Sequence, residues 1–158
     1  LFLECVIYDN HEAFENFFQF LEFKKENIQT VCNCKNINFH KSLLKRYLKE
    51  TISFLQDVFI DCNEPSLFYS ELHDYLIENY SDKLPRDFFC FYYITTRDER
   101  IFNTKRTHLA KTIGNKTLDL YEYAIYRGYS AAITHLENYY SCENPKELAP
   151  PSLKNYFK

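Results

Sequence analysis

The sequence predicts an all-α fold of stacked antiparallel helical hairpins, with an irregular helical bundle as the alternative. Three observations carry that expectation. Apolar residues recur three or four positions apart along almost the whole chain, the period of a helix buried on one side. Only two glycines and five prolines occur in 158 residues, too few for the corners of a β-sandwich or barrel. The aromatic content is 15 Phe and 14 Tyr with no Trp, and these rings fall at helical spacing. A chain of this length is expected to form one domain with a real core. We place a helical-repeat domain at 1–144 and a proline-containing tail at 145–158.

The elements follow in order. Residues 3–18 read as a short helix, a break and a second helix. Over 39–61, Phe39, Leu43, Leu44, Tyr47, Leu48, Ile52, Leu55, Phe59 and Ile60 give one long amphipathic helix or two abutting ones. Pro65-Ser66 opens the next helix, with Leu67, Phe68, Leu72, Leu76 and Ile77 on one side. It ends near Ser81, because Leu84 precedes Pro85 and the residue before proline resists the α region. A further helix is expected from about Arg86, carrying Phe88, Phe89, Phe91, Tyr92 and Ile94.

Residues 3–18 align without gaps on 121–136, 118 positions later, with Glu4/Glu122, Ile7/Ile125, Tyr8/Tyr126 and Ala13/Ala131 identical. Asn10 faces Gly128, and Asn and Gly tolerate the left-handed conformation that ends a helix. Each copy therefore predicts two antiparallel helices joined by a left-handed break at Asn10 or Gly128.

This pattern resembles the helix pair of the ankyrin repeat, roughly Ala-Ala-x-x-Gly-His-x-x-Val-Val-x-x-Leu. Ala124-Ile125, Gly128, Ala132-Ile133 and Leu136 match it, as do Val6-Ile7, Asn10-His11, Phe14 and Phe18. Gly114-Asn-Lys-Thr-Leu118 stands where the repeat's Thr-Pro-Leu-His turn would be. The resemblance implies a quasi-linear array that binds another protein and performs no chemistry. It points to contacts at the hairpin tips: Tyr126, Arg127 and Tyr129, with Tyr8, Asp9 and His11 opposite. The reading that Tyr8 and Tyr126 only pack between units stays open.

In the tail, Pro150-Pro151 disfavours helix and favours an extended segment, after which Leu153, Lys154, Tyr156 and Phe157 can dock as a short turn. Pro150-x-x-Leu153-Lys154-x-Tyr156-Phe157 is similar to the closing segment of a SOCS box. That likeness implies elongin and cullin as partners, and a substrate-receptor role in a cullin ubiquitin ligase, as an alternative function.

Charge comes in blocks. Residues 31–49 and 83–116 each carry +5, whereas 50–82 carries −8 with no Lys or Arg. A nucleic-acid or ribosome-binding alternative would use Lys41, Lys45, Arg46 and Lys49, and then Arg97, Arg100, Lys105, Arg106, Lys111 and Lys116. The net charge of −3 gives no global footprint of that kind.

Catalytic and metal motifs are sparse. Cys32-Asn-Cys34-x5-His40 offers zinc-type ligands, with Cys5 or Cys62 needed to complete a set. We expect no metal and no cofactor. His73-Asp74 is adjacent on a helix, so the two side chains are expected to diverge and form no relay. No Gly-x-Ser-x-Gly or His-Glu-x-x-His occurs, and the chain is expected not to be an enzyme. Six cysteines, four of them among apolar or aromatic neighbours, suit free thiols in a reducing cytosol or nucleus. No apolar run approaches the roughly 20 residues of a membrane span. The expectation is an intracellular protein with no membrane partner.

Overall fold

A computed structural model of the chain describes residues 2–18 and 24–157. It is mostly helical, and no helix is long and apolar enough to cross a membrane. The chain divides into two compact units, Leu1–Val58 with Ser66–Leu84, and Phe59–Pro65 with Pro85–Lys158.

In the first unit, α1 (Phe2–Ile7) and α2 (His11–Phe18) form one hairpin, and α3 (Lys25–Cys32) and α4 (Ile37–Arg46) form another. First helix packs on first helix and second on second, α1 against α3 and α2 against α4. The left-handed residue that closes α1 is Asp9 (φ 55°), one position before the expected Asn10. Asp9 N–H donates to Val6 O and Asn10 N–H to Cys5 O, the paired bonds of a Schellman closure. Asn10 has a different task. Its Oδ1 accepts from Ala13 N–H at 3.1 Å and starts α2, which needs the side chain free at the N-cap.

The 39–61 stretch resolves into two abutting helices, α4 and α5 (Leu48–Ile60), broken at Tyr47. Helix α6 (Leu67–Tyr80) starts where Ser66 Oγ accepts from Tyr69 N–H, as the Pro65-Ser66 signal predicts. A 3-10 turn at Ser81–Lys83 ends it before Leu84-Pro85. Phe14, Phe39, Leu43, Leu55, Leu72 and Leu76 are fully buried, with Phe14 and Phe39 edge to face at 4.8 Å. The side chain of Phe18 lies outside the described residues.

In the second unit, α7 (Cys90–Thr96) begins four residues later than expected. The chain from Pro85 first makes tight turns, Phe88 N–H to Pro85 O and Cys90 N–H to Asp87 O. Helix α7 pairs with a 3-10 helix, Glu99–Asn103, and α8 (Leu120–Arg127) with α9 (Ser130–Leu136). Again first packs on first and second on second, α7 against α8 and the 3-10 helix against α9.

Arg97 (φ 55°) and Gly128 (φ 69°) close the two hairpins. Each repeats the bond pair seen at Asp9: Arg97 to Ile94 and Asp98 to Tyr93, then Gly128 to Ile125 and Tyr129 to Ala124. The closures at 97 and 128 are 31 residues apart. Between them stands a small antiparallel pair that helical periodicity does not predict, β1 (Lys111–Ile113) and β2 (Lys116–Leu118), with Lys111 opposite Leu118. Gly114 (φ 61°) supplies the positive φ its two-residue turn needs. Helix α8 has a full capping box, Asp119 and Glu122 each accepting the other's backbone N–H.

The tail packs within the second unit. Helix α10 (Pro145–Leu148) lies on α8, and a Cβ built on Gly128 would stand 2.9 Å from Pro150 Cγ and 3.6 Å from Leu153 Cδ1. Around Gly114 nothing lies within 4 Å of such a Cβ. Gly114→Ala is therefore expected to cost only the left-handed penalty, about 1–2 kcal/mol. Gly128→Ala adds the clash, for a loss of at least about 2–4 kcal/mol in all. Thermal denaturation of both variants checks this, and equal Tm losses would contradict the close packing of Pro150.

Candidate functional site

The tips of the second unit's hairpins are held by cations on backbone carbonyls. The last carbonyls of a helix have no partner within it and carry the negative end of its dipole. Arg97 donates to Arg127 O at 3.0 Å and Gly128 O at 3.3 Å, at the end of α8, and its guanidinium lies over the Tyr129 ring. Arg127 donates to Asn63 O at 3.1 Å and Thr95 O at 3.4 Å. Each hairpin thus closes the other's first helix.

Beneath them, Lys111 is 2% exposed and its ammonium donates to Ile60 O at 2.5 Å and Cys62 O at 3.2 Å. Burial pushes its pKa down, partly opposed by Asp61 and Cys62, while Arg127 lowers it further. Tyr123 OH lies 2.6 Å from Thr95 Oγ1, which is also 3.3 Å from Cys62 O and 3.1 Å from Phe91 O. Thr95 has one hydroxyl proton. Tyr123 therefore donates to Thr95 when Thr95 donates to one of the carbonyls. Burial raises the Tyr123 pKa, which keeps its hydroxyl protonated and able to donate.

This arrangement assigns most of the expected residues to structural work. Arg127 is spent on carbonyls, and Tyr129 is 9% exposed beneath Arg97. Tyr126 remains 43% exposed. Arg100 pairs with Asp98 at 3.2 Å and lies over Tyr93, while Arg106 lies over Tyr140. Lys105 and Lys116 are exposed. In the tail, Pro150 and Leu153 face Gly128, Tyr156 OH is 3.4 Å from Thr134 Oγ1, and Phe157 meets the Tyr156 ring. Lys154 is exposed.

In the first unit, Tyr8 is 80% exposed and Ile7 74%. Asp9 Oδ1 accepts from Asn36 Nδ2. His11 turns inward, its Nε2 2.7 Å from Ser42 Oγ and its ring edge-on to Phe39. Ser42 donates to Glu15, which also meets Arg46 at 3.5 Å. Burial raises the Glu15 pKa, but Ser42, Arg46 and His11 outweigh it and leave the carboxyl below its ordinary value. Of the basic stripe, Lys41 sits over Tyr75 at 4.8 Å, and Lys45 and Lys49 are exposed.

Near Asp9 lies a groove of about 570 Å³ lined by Val6, Lys35, Ile37, Leu67, Phe68 and Glu71 among others. Leu67 is 75% exposed. Sequence reasoning assigned Leu67 to a buried helix face. It is the first residue of α6, directly after the Ser66 cap, where the apolar stripe need not yet be covered.

In the cysteine–histidine cluster, Cys32 and His40 are both buried. Burial raises the Cys32 thiol to about 12. His40 directs Nδ1 to Asn36 O at 2.9 Å and Nε2 to Cys32 O at 3.0 Å, so both ring nitrogens face carbonyls. Among the described residues no three His, Cys, Asp or Glu side chains are grouped to hold a metal ion. The expected divergence of His73 and Asp74 is corrected: His73 Nδ1 lies 2.9 Å from Asp74 Oδ1. The short aspartate reaches back across one residue to the buried ring, so the pair joins a buried histidine to an exposed carboxylate.

Burial lowers the His40 pKa from 6.5, its two carbonyl contacts oppose this, and Lys35 lowers it further. A depressed histidine pKa means the unfolded chain takes up the proton first. This contribution to stability is present above about pH 6.5 and is lost as pH falls through the lower folded-state value. The Tm is expected to drop over that window, and His40→Gln to flatten the dependence there. A second expectation concerns Lys111→Met, which leaves Ile60 O and Cys62 O without their donor and is expected to cost about 1–3 kcal/mol. Chemical denaturation measures it, and an unchanged midpoint would remove the carbonyl-tethering role. No family model, curated protein or solved structure matches the chain.

Proposed function

We propose that the chain is a non-catalytic protein-interaction module of the ankyrin-like, helical-repeat kind. The observation that carries this reading is the register of the hairpins. In both units first helix packs on first and second on second. In the second unit equivalent closures at Arg97 and Gly128 enclose a β-hairpin, 31 residues apart, close to the ~33-residue ankyrin period. Such hairpins bury their faces against their neighbours and leave turn side chains for a partner.

Large apolar side chains stand exposed at these turns: Ile7 and Tyr8 at the end of α1, and Tyr126 before Gly128. Tyrosine is among the residues that dominate interface energies. Near Tyr126, Arg97 and Arg127 are engaged in holding helix-end carbonyls, which suits a scaffold better than a catalytic centre. Of the second basic stretch, Arg97, Arg100, Arg106 and Lys111 are divided among carbonyls, rings and an ion pair, with Lys105 and Lys116 exposed, which weighs against a continuous phosphate-binding face.

A photo-crosslinking residue placed at Tyr8 or Tyr126 of the full chain, expressed in its native source, tests the reading. The expected product is a protein adduct that unlabelled chain competes away. Tyr8→Glu, folded with unchanged Tm, is expected to reduce recovery about tenfold or more if Tyr8 is an anchor. Adducts to RNA, with binding that falls steeply between low and moderate salt, would overturn the proposal.

A further inference from the structure

We infer that the groove of the first unit receives an apolar-and-basic peptide segment of a partner protein. The inference rests on the reading of the chain as an interaction module and adds a place and a chemistry to it. Val6 of α1, Ile37 of α4, and Leu67 and Phe68 of α6 make the groove apolar. Leu3, Val6 and Ile7 are spaced to share one face of α1, and Leu3 and Ile7 are exposed. The apolar surface therefore runs out of the groove onto α1. An exposed patch of this kind on a folded unit marks an interaction site.

Charge selects the occupant. Asp9 and Glu71 stand at the groove, and from Glu71 a row of exposed acids, Glu71, Asp74 and Glu78, follows α6 at three- and four-residue spacing. That row spans roughly 10 Å of helix. No Lys or Arg occurs anywhere in 50–82. Lys35 lines the groove as well, with its ammonium 5.3 Å from the Phe68 ring centroid, and both nearby lysines are engaged with aromatic side chains. Lys35 donates to Tyr69 OH at 2.7 Å and lies 4.4 Å from the Tyr69 ring, and Lys41 rests over Tyr75. Among the described residues no ion pair joins either lysine to Glu71, Asp74 or Glu78. An apolar slot continued by an acidic row that no Lys or Arg pairs with among the described residues, although Asp74 meets His73, complements a segment with large apolar side chains beside Lys or Arg. Such a peptide seats its apolar residues against Leu67 and Phe68 and lays its basic residues along α6.

The test uses the full chain and a phage-displayed library of random 12-residue peptides. Selected peptides are expected to combine large apolar residues with net positive charge. Leu67→Asp is expected to weaken them at least tenfold, and Glu71→Lys with Asp74→Lys at least fivefold, with the second loss shrinking at high salt. All three positions are exposed, and an unchanged Tm confirms that each variant is folded. Recovery of acidic or uncharged binders, of no binder, or of binders lost on Tyr126→Glu and kept on Leu67→Asp overturns the groove assignment. None of those outcomes touches the interaction-module reading, which fails separately if the Tyr8 and Tyr126 crosslinks capture no protein. Self-association abolished by Leu67→Asp in sedimentation assigns the groove to a second copy, and also overturns the peptide proposal.

Discussion

The structure is governed by what happens at the ends of short helices. A helix of six to eight residues leaves the same four N–H and four C=O groups unbonded as a long one, so its ends hold most of its backbone polarity. Helices α1, α2, α3, α7, α8 and α9 are all in that class. They are stable only if their termini are satisfied from outside, because short helices do not persist alone in water. The chain uses two devices. A left-handed residue folds the next amides back onto the carbonyls at Asp9, Arg97 and Gly128. Arginine and lysine side chains then reach carbonyls of neighbouring segments.

This economy explains the use of charge in the second unit. Read along the chain, Arg97 and Lys111 look like part of a basic surface and Arg127 like a free tip contact, yet each is bound to backbone oxygen. The aromatic residues complete the arrangement. Phe59 meets Phe89 at 4.8 Å and Tyr92 at 5.1 Å, both near edge to face, a geometry that adds specific attraction to area burial. Tyr123 serves two purposes, filling the core and joining its hydroxyl to the Thr95 network. With little glycine, the chain takes its left-handed turns at Asp9 and Arg97 at some strain, and close packing and hydrogen bonds hold them there.

Local signals were legible and long-range ones were not. Ser66 as the start of α6 follows from a proline and a hydroxyl at a helix start, and the α8–α9 hairpin from Gly128 between two apolar-periodic segments. Mostly helical structure follows from the same periodicity. Asp9 was read one residue off, because Asp and Asn both tolerate the left-handed region and only the N-cap demand of α2 decides between them. Arg97 gave no signal at all. Arginine is unremarkable in sequence, and the groups that hold its closure, Gly128 O and the Tyr129 ring, lie some thirty residues away. Lys111 escaped for the same reason: its carbonyl partners stand about fifty residues earlier. The groove near Leu67 was hidden by the helix pattern itself, which marks a residue as apolar without saying whether anything covers it.

The contact between Pro150 and Gly128 couples two distant positions by volume alone. The space that one residue leaves empty is the space the other fills, so neither can change in size independently. Across diverging versions of this chain, a side chain at position 128 should appear only together with a smaller or displaced residue at 150. The pair would then be a record, readable in aligned sequences, of whether the tail rests on the same hairpin.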